Sequence, residues 1–151
     1  AALRQVLGDY FDVPVEIEQF VGAWYPMDQE AQCSLGMGER YSEQLGIGAV
    51  VGDEIWDQQS RVRLQLGPLT FARYLEFLPG GDAHRELCAI ARFFAGNEYD
   101  IEVQLILRRD EVPRCELVPE TEAGLRLGWT TWVKSEEFTR DPGDTVLDVA
   151  C

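Results

Sequence analysis

Histidine and lysine each occur once in the 151 residues, as His84 and Lys134, and the four cysteines, Cys33, Cys88, Cys115 and Cys151, form no C-x-x-C pair. A zinc site needs three or four converging ligands, and His84 with Cys88 four residues on makes at most half of one. No metal is expected. A disulfide framework is disfavoured too: a chain this long buries roughly two-thirds of the surface it exposes when unfolded and holds a core without staples. Free thiols in a reducing cytosol are the expectation. Positive charge is also scarce, with Lys+Arg 13 against Asp+Glu 27, a net charge of −14 and a pI near 4.3. Attraction to phosphate backbones or anionic lipid is therefore unfavourable over most of the surface. No apolar run approaches the roughly 18 to 20 residues that span a bilayer, and no basic segment leads into an apolar stretch at the start.

What the chain does have is clear hydrophobic periodicity. Leu3, Val6, Leu7 and Tyr10 fall on one helical stripe, with no initiator Met and no capping residue before it. Residues 1–12 are expected to be the end of a helix continuing from a preceding region, or a processed terminus. Val13, Val15 and Ile17 alternate with Glu16 and Glu18 in a strand that Pro14 places at an edge or a start. Trp24-Tyr25-Pro26 leads into a polar stretch from Met27 to Gln44, a long connection of the kind that is functional or disordered. Ala49-Val50-Val51 reads as a short strand or turn. From Glu54 to Leu66 the alternation predicts one strand, with Trp56, Val62, Leu64 and Leu66 on one face and Gly67-Pro68 as its stop. Thr70 caps a helix bearing Phe71, Tyr74, Leu75 and Leu78. Asp82 caps the next, with Leu87, Ile90, Ala91 and Phe94 facing the core.

Tyr99, Ile101, Val103, Leu105 and Leu107 mark another strand, and Leu125, Leu127, Trp129, Thr131 and Val133 a further one, separated by an acidic loop from Asp110 to Gly124. Glu16, Glu18, Asp100 and Glu102 are placed on solvated strand faces. Val146 to Val149 is a short closing strand or part of a tail over 134–151. The expected fold is an α+β domain over 13–133, a mostly antiparallel sheet of four to five strands with two adjacent helices packed on one face.

Catalytic and cofactor motifs fail on spacing. Gly46, Gly48 and Gly52 form G-x-G-x-x-x-G after no clear strand, which is not the dinucleotide fingerprint. Asp53, Glu54 and Asp57 lack the twelve-residue calcium pattern. Glu136-Glu137 is too ordinary in a chain this acidic to argue acid/base chemistry, and Cys88 on the apolar side of a helix reads as a small core residue. No catalytic, cofactor-binding or metal residues are assigned. Aromatic residues beside Gly and Pro at loop–strand junctions do stand out, at Trp24-Tyr25-Pro26, Trp56 and Gly128-Trp129-Thr130-Thr131-Trp132. Trp129 and Trp132 differ by an odd number, so a regular strand would put one of them off the helix-covered face.

The ordered succession of Phe11-Asp12-Val13-Pro14-Val15-Glu16-Ile17, Phe20, Trp24, Gln32, Leu35-Gly36, Leu45-Gly46, Val51-Gly52, Trp56-Asp57, Gln59-Ser60, Gly67-Pro68-Leu69, Phe77-Leu78-Pro79-Gly80-Gly81, Val103-Gln104-Leu105 and Leu127-Gly128-Trp129-Thr130-Thr131-Trp132 resembles the later half of the TssG (ImpH, VasB) family of type VI secretion baseplate subunits. The resemblance runs from about Leu3 to Val133. It implies a non-enzymatic wedge component in the cytoplasm, docked at the inner-membrane face through the baseplate. It also implies TssF-, TssE- and TssK-like partners around the spike of a contractile injection machine, and no cofactor. The residues expected to meet partners are Trp24, Tyr25, Pro26, Gln32, Leu35, Trp129 and Trp132. The competing expectation is a stand-alone small-molecule-binding or enzymatic α+β domain with an aromatic-lined pocket.

Overall fold

The computed structural model describes residues 2–36, 40–114, 126–134 and 136–149. The elements run α1 (Ala2–Phe11), β1 (Val15–Gln19), β2 (Ala23–Pro26), β3 (Glu54–Asp57), β4 (Arg61–Leu69), α2 (Phe71–Phe77), α3 (Asp82–Ala95), β5 (Asp100–Leu107) and β6 (Thr145–Asp148). The chain divides into two units, a body of Ala1–Gln19 with Arg61–Cys151 and an insert of Phe20–Ser60.

The body is the α+β fold that the periodicity predicts. Its four-stranded sheet has the order β1-β4-β5-β6, antiparallel at both outer pairings and parallel between β4 and β5. Register aligns Val15, Leu66, Leu105 and Thr145 in one row, and Ile17, Leu64, Val103 and Leu147 in the next. Those rows face a core completed by Leu7 and Phe11 of α1, Tyr74 and Phe77 of α2, and Leu87 and Ala91 of α3. Thr70 caps α2 as expected, its hydroxyl accepting from the Arg73 amide. Asp82 does not cap α3: Gly81 occupies that position, and Asp82 is the acid of the first turn. The buried stripe of α1 is Leu7 and Phe11, while Val6 and Tyr10 are exposed. The Tyr10 hydroxyl instead reaches Glu86 at 3.2 Å, and that carboxylate pushes the phenol above its ordinary range. Phe94 also stands exposed, not in the core.

Three strand readings need correction. The run from Glu54 to Leu66 is two strands in two units, divided where Asp57 folds back on itself. Its carboxylate accepts from the Gln59 amide at 2.8 Å and from the Ser60 hydroxyl. Gly67-Pro68 does not stop β4, which continues to Leu69 through a cis Gly67–Pro68 bond. Gly67 sits at φ +137°, and a Cβ there would lie 2.4 Å from the Ile106 carbonyl oxygen, so only glycine lets β4 pass β5 this closely. Gly67→Ala is expected to cost about 2–4 kcal/mol through backbone strain and overpacking, read as a lowered midpoint in chemical denaturation. The third correction concerns 125–133. Leu125 lies outside the described residues, Leu127–Thr130 form a turn and 131–134 form no strand.

The opposite face of the sheet is polar, but it is not simply solvated. Glu18, Arg63, Glu102 and Asp148 form one cross-strand row. Glu102, expected in solvent, is 4% exposed and paired with Arg63 and with Arg61 at 3.2 Å, while Arg63 also reaches Glu18 at 3.3 Å. Two guanidiniums lying across the strand explain the burial: a carboxylate enters a sheet interior only when its charge is answered there.

Candidate partner-binding site

The insert is organised around the antiparallel pair β2–β3, with Trp24 opposite Trp56 and Tyr25 opposite Ile55. The bond from the Met27 amide to the Asp53 carbonyl, 2.8 Å, fixes the phase of this ladder. Residues 27/53 are a hydrogen-bonded pair, so 25/55 and 23/57 are too, and 24/56 and 26/54 are the intervening close pairs. Pro26, which has no N–H, sits at a position whose N–H is not needed inside the ribbon. Trp24 and Trp56 take the position where side chains approach most closely, and their rings meet edge to face at 5.3 Å. Gly22 makes room for this pair, since a Cβ there would overlap the Trp56 indole.

Both indoles remain well exposed, Trp24 at 61% and Trp56 at 46%. Phe20, Leu35, Tyr41, Leu45, Ile47 and Val51 are exposed as well, and among the described residues of the insert only Val21 and Ser42 are buried. The connection from Met27 to Gln44 is pinned by polar bonds. Gln32 Nε2 donates to the Met27 carbonyl at 3.0 Å, the Ser42 hydroxyl to the Glu30 carbonyl at 3.4 Å and the Ser34 hydroxyl to Glu43 at 3.4 Å. A 3-10 turn, Tyr41–Glu43, closes it. Leu35 is fully exposed, and Ala49-Val50-Val51 forms no strand. The Ser60 hydroxyl, more than the Gln59 amide, holds the Asp57 carboxyl below its ordinary range. The turn therefore holds at neutral pH and loosens as acid protonates Asp57. Ser60→Ala is expected to move the Asp57 midpoint back toward that of a free aspartate in an NMR titration.

The other two sequence candidates, Trp129 and Trp132, belong to the body. Trp129 and Trp132 are not on opposite strand faces, because no strand forms; both pack against the core. Tyr74, fully buried, holds this segment. Its hydroxyl bridges the Trp129 carbonyl oxygen at 2.7 Å and the Thr145 hydroxyl oxygen at 2.6 Å, and its ring meets Trp132 edge to face at 5.8 Å. Burial pushes the Tyr74 hydroxyl above its ordinary value near 10. Its contribution to stability is complete below pH about 10 and is lost as the pH rises further. Tyr74→Phe is expected to cost about 1–2 kcal/mol, with a smaller loss at strongly alkaline pH than at neutral pH, in urea titrations.

Trp56 is the residue that sequence reasoning noticed without assigning. Its partner Trp24 is 32 positions away, and only the pairing register brings the two together. Among the described residues no group of three His, Cys, Asp or Glu side chains is placed to hold a metal. Cys88 is buried in the core with His84 Nε2 3.6 Å from its sulfur, and Cys33 is an exposed free thiol. A concavity of about 520 Å³ in the insert is lined by Glu30, Ala31, Arg40, Tyr41, Ser42 and Gly48, and no tryptophan enters it.

An α+β body carries an insert that leaves most of its apolar side chains exposed, a surface of the kind that marks interaction sites. The comparisons with known proteins give its family. The chain belongs to the type VI secretion TssG family, whose model matches residues 1–134. No curated protein matches it. Among solved structures, it is similar to a chain of the type VI secretion system TssK-TssF-TssG baseplate subcomplex determined by cryo-electron microscopy. That match has a TM-score of 0.70 and 19% identity, and covers 97% of this chain and 59% of that one. It is also similar to a chain of the baseplate complex from the type VI secretion system, with a TM-score of 0.61 and 21% identity, over 97% of this chain and 41% of that one. The chain thus spans less than two-thirds of either relative's length.

Proposed function

We propose that this chain is a structural part of a type VI secretion baseplate wedge, and that its insert is a docking element for another baseplate subunit. The observation that carries the reading is the Trp24–Trp56 pair, two indoles assembled edge to face by the β2–β3 register and left about half exposed. Burying what they expose removes on the order of 250 Å² of apolar surface, about 6 kcal/mol before the cost of association. Tyr25, Pro26, Gln32 and Leu35 flank this patch in sequence. Trp129 and Trp132 act indirectly, by stiffening the body. TssK- and TssF-type subunits are the partners of first choice, since one of the similar structures is a TssK-TssF-TssG subcomplex, and a TssE-type subunit completes the wedge.

The role is mechanical and not catalytic. The body supplies a rigid frame, and the insert supplies contacts that can form and rearrange as the machine assembles and fires. Among the described residues no helix is long and apolar enough to cross a membrane. The proposed attachment at the inner-membrane face, on the cytoplasmic side, runs through the rest of the baseplate. Co-purification of the protein with TssF- and TssK-type subunits tests the proposal. A stable complex of the three is expected. Saturable micromolar binding of a metabolite, with no baseplate protein retained, would overturn it.

A further inference from the structure

The ladder phase that places Trp24 against Trp56 also decides which edges of the ribbon are open. On β2 the outward positions are Trp24 and Pro26, and Pro26 has no N–H to offer, so that edge is broken. On β3 the outward positions are Glu54 and Trp56. Their backbone N–H and C=O groups have no partner among the described residues. A two-stranded ribbon is marginal in water, and a third strand adds hydrogen bonds where this one has spare donors and acceptors. Charge narrows what can approach. From Asp28 to Asp57 the insert carries seven carboxylates against the single Arg40, and Glu54 lies on the open edge itself.

Resting on the docking role proposed above, we propose that the outer edge of β3 receives an extended, basic and apolar segment of the partner chain as a third strand. The backbone of that segment pairs with Glu54 and Trp56, its apolar residues on one face join the indole pair, and a Lys or Arg answers Glu54. Affinity then comes from main-chain hydrogen bonds, and specificity from alternate side chains.

The test uses the whole protein with its purified TssK- and TssF-type partners. Glu54→Pro removes the outward N–H, which the ribbon itself does not use, whereas Glu54→Gln keeps it and removes only the charge. Glu54→Pro is expected to weaken binding at least about tenfold and Glu54→Gln about threefold. In the unmodified complex, hydrogen exchange at the Trp56 amide is expected to slow at least about tenfold. This second readout decides the matter even where the proline variant folds poorly. A complex that forms with Trp56 exchange unchanged, or equal binding by the proline and glutamine variants, overturns strand addition and leaves docking through the insert standing. Failure of the intact protein to bind either partner overturns both.

Discussion

Replacing Trp24 and Trp56 together by alanine is expected to abolish partner capture while leaving the body as stable as before. Each indole is a candidate anchor, and truncating one such aromatic at an interface centre costs about 2–4 kcal/mol. Because the two rings touch, their losses are not additive. A combined loss of about 3–4 kcal/mol corresponds to roughly a hundred- to thousand-fold in Kd. Neither ring belongs to the body's core cluster, so the body's thermal unfolding should move by less than about 2 °C. Isothermal titration with purified partners and calorimetry on the free protein measure the two quantities separately. The single variants should be unequal, Trp24→Ala costing more, because Trp24 presents the larger free surface.

Phe77→Ala should do the converse. Phe77 is fully buried, meets Phe11 edge to face at 5.1 Å and carries the Arg73 guanidinium 5.7 Å over its ring. Arg73 also donates to the Phe11 carbonyl, so α1 and α2 are tied together around this one ring. Truncation leaves a cavity where α1 and α2 meet and is expected to cost about 3–5 kcal/mol. In a chain of this length that lowers Tm by about 10 °C or more. Below that transition, partner affinity should be unchanged within about threefold, because Phe77 belongs to the core cluster of the body and not to the insert. A matched pair of variants, one silent in stability and one silent in binding, separates frame from docking element more firmly than either alone.

The two variants fall on opposite sides of what could be read in the sequence. The frame was legible because its signals are local: the alternation of Ile101, Val103, Leu105 and Leu107 needs no knowledge of partners, and neither does the Thr70 cap. The insert was legible only in pieces. Its boundary at Asp57–Ser60 was hidden by parity, since Trp56 and Val62 are an even number apart. Alternation therefore runs through the break in phase, and only the side-chain turn at Asp57 betrays it. The opposite error arose at Leu127–Val133, where alternating apolar residues occur without a strand. There Gly128 at φ +81° and the backbone bonds from Trp129 and Thr130 to Arg126 fold the segment into a turn, and the Tyr74 hydroxyl binds it to the core. Glu102 was misplaced for a related reason. A carboxylate's exposure depends on what lies beside it, and Arg61 and Arg63 come alongside only through the parallel β4–β5 register.

That same register supplies a clean way to remove the insert. Gln19 lies directly opposite Val62 at the paired ends of β1 and β4, so a three-residue hairpin loop, two inserted residues followed by Arg61, can join Gln19 to Val62 in place of Phe20–Ser60. The decisive measurement is to compare this shortened protein with the intact one, by thermal unfolding and by binding to purified TssK- and TssF-type subunits. The account predicts a body that still unfolds cooperatively at a similar temperature and has lost the partner that the insert holds. A shortened body that folds and binds both subunits with unchanged affinity would contradict it.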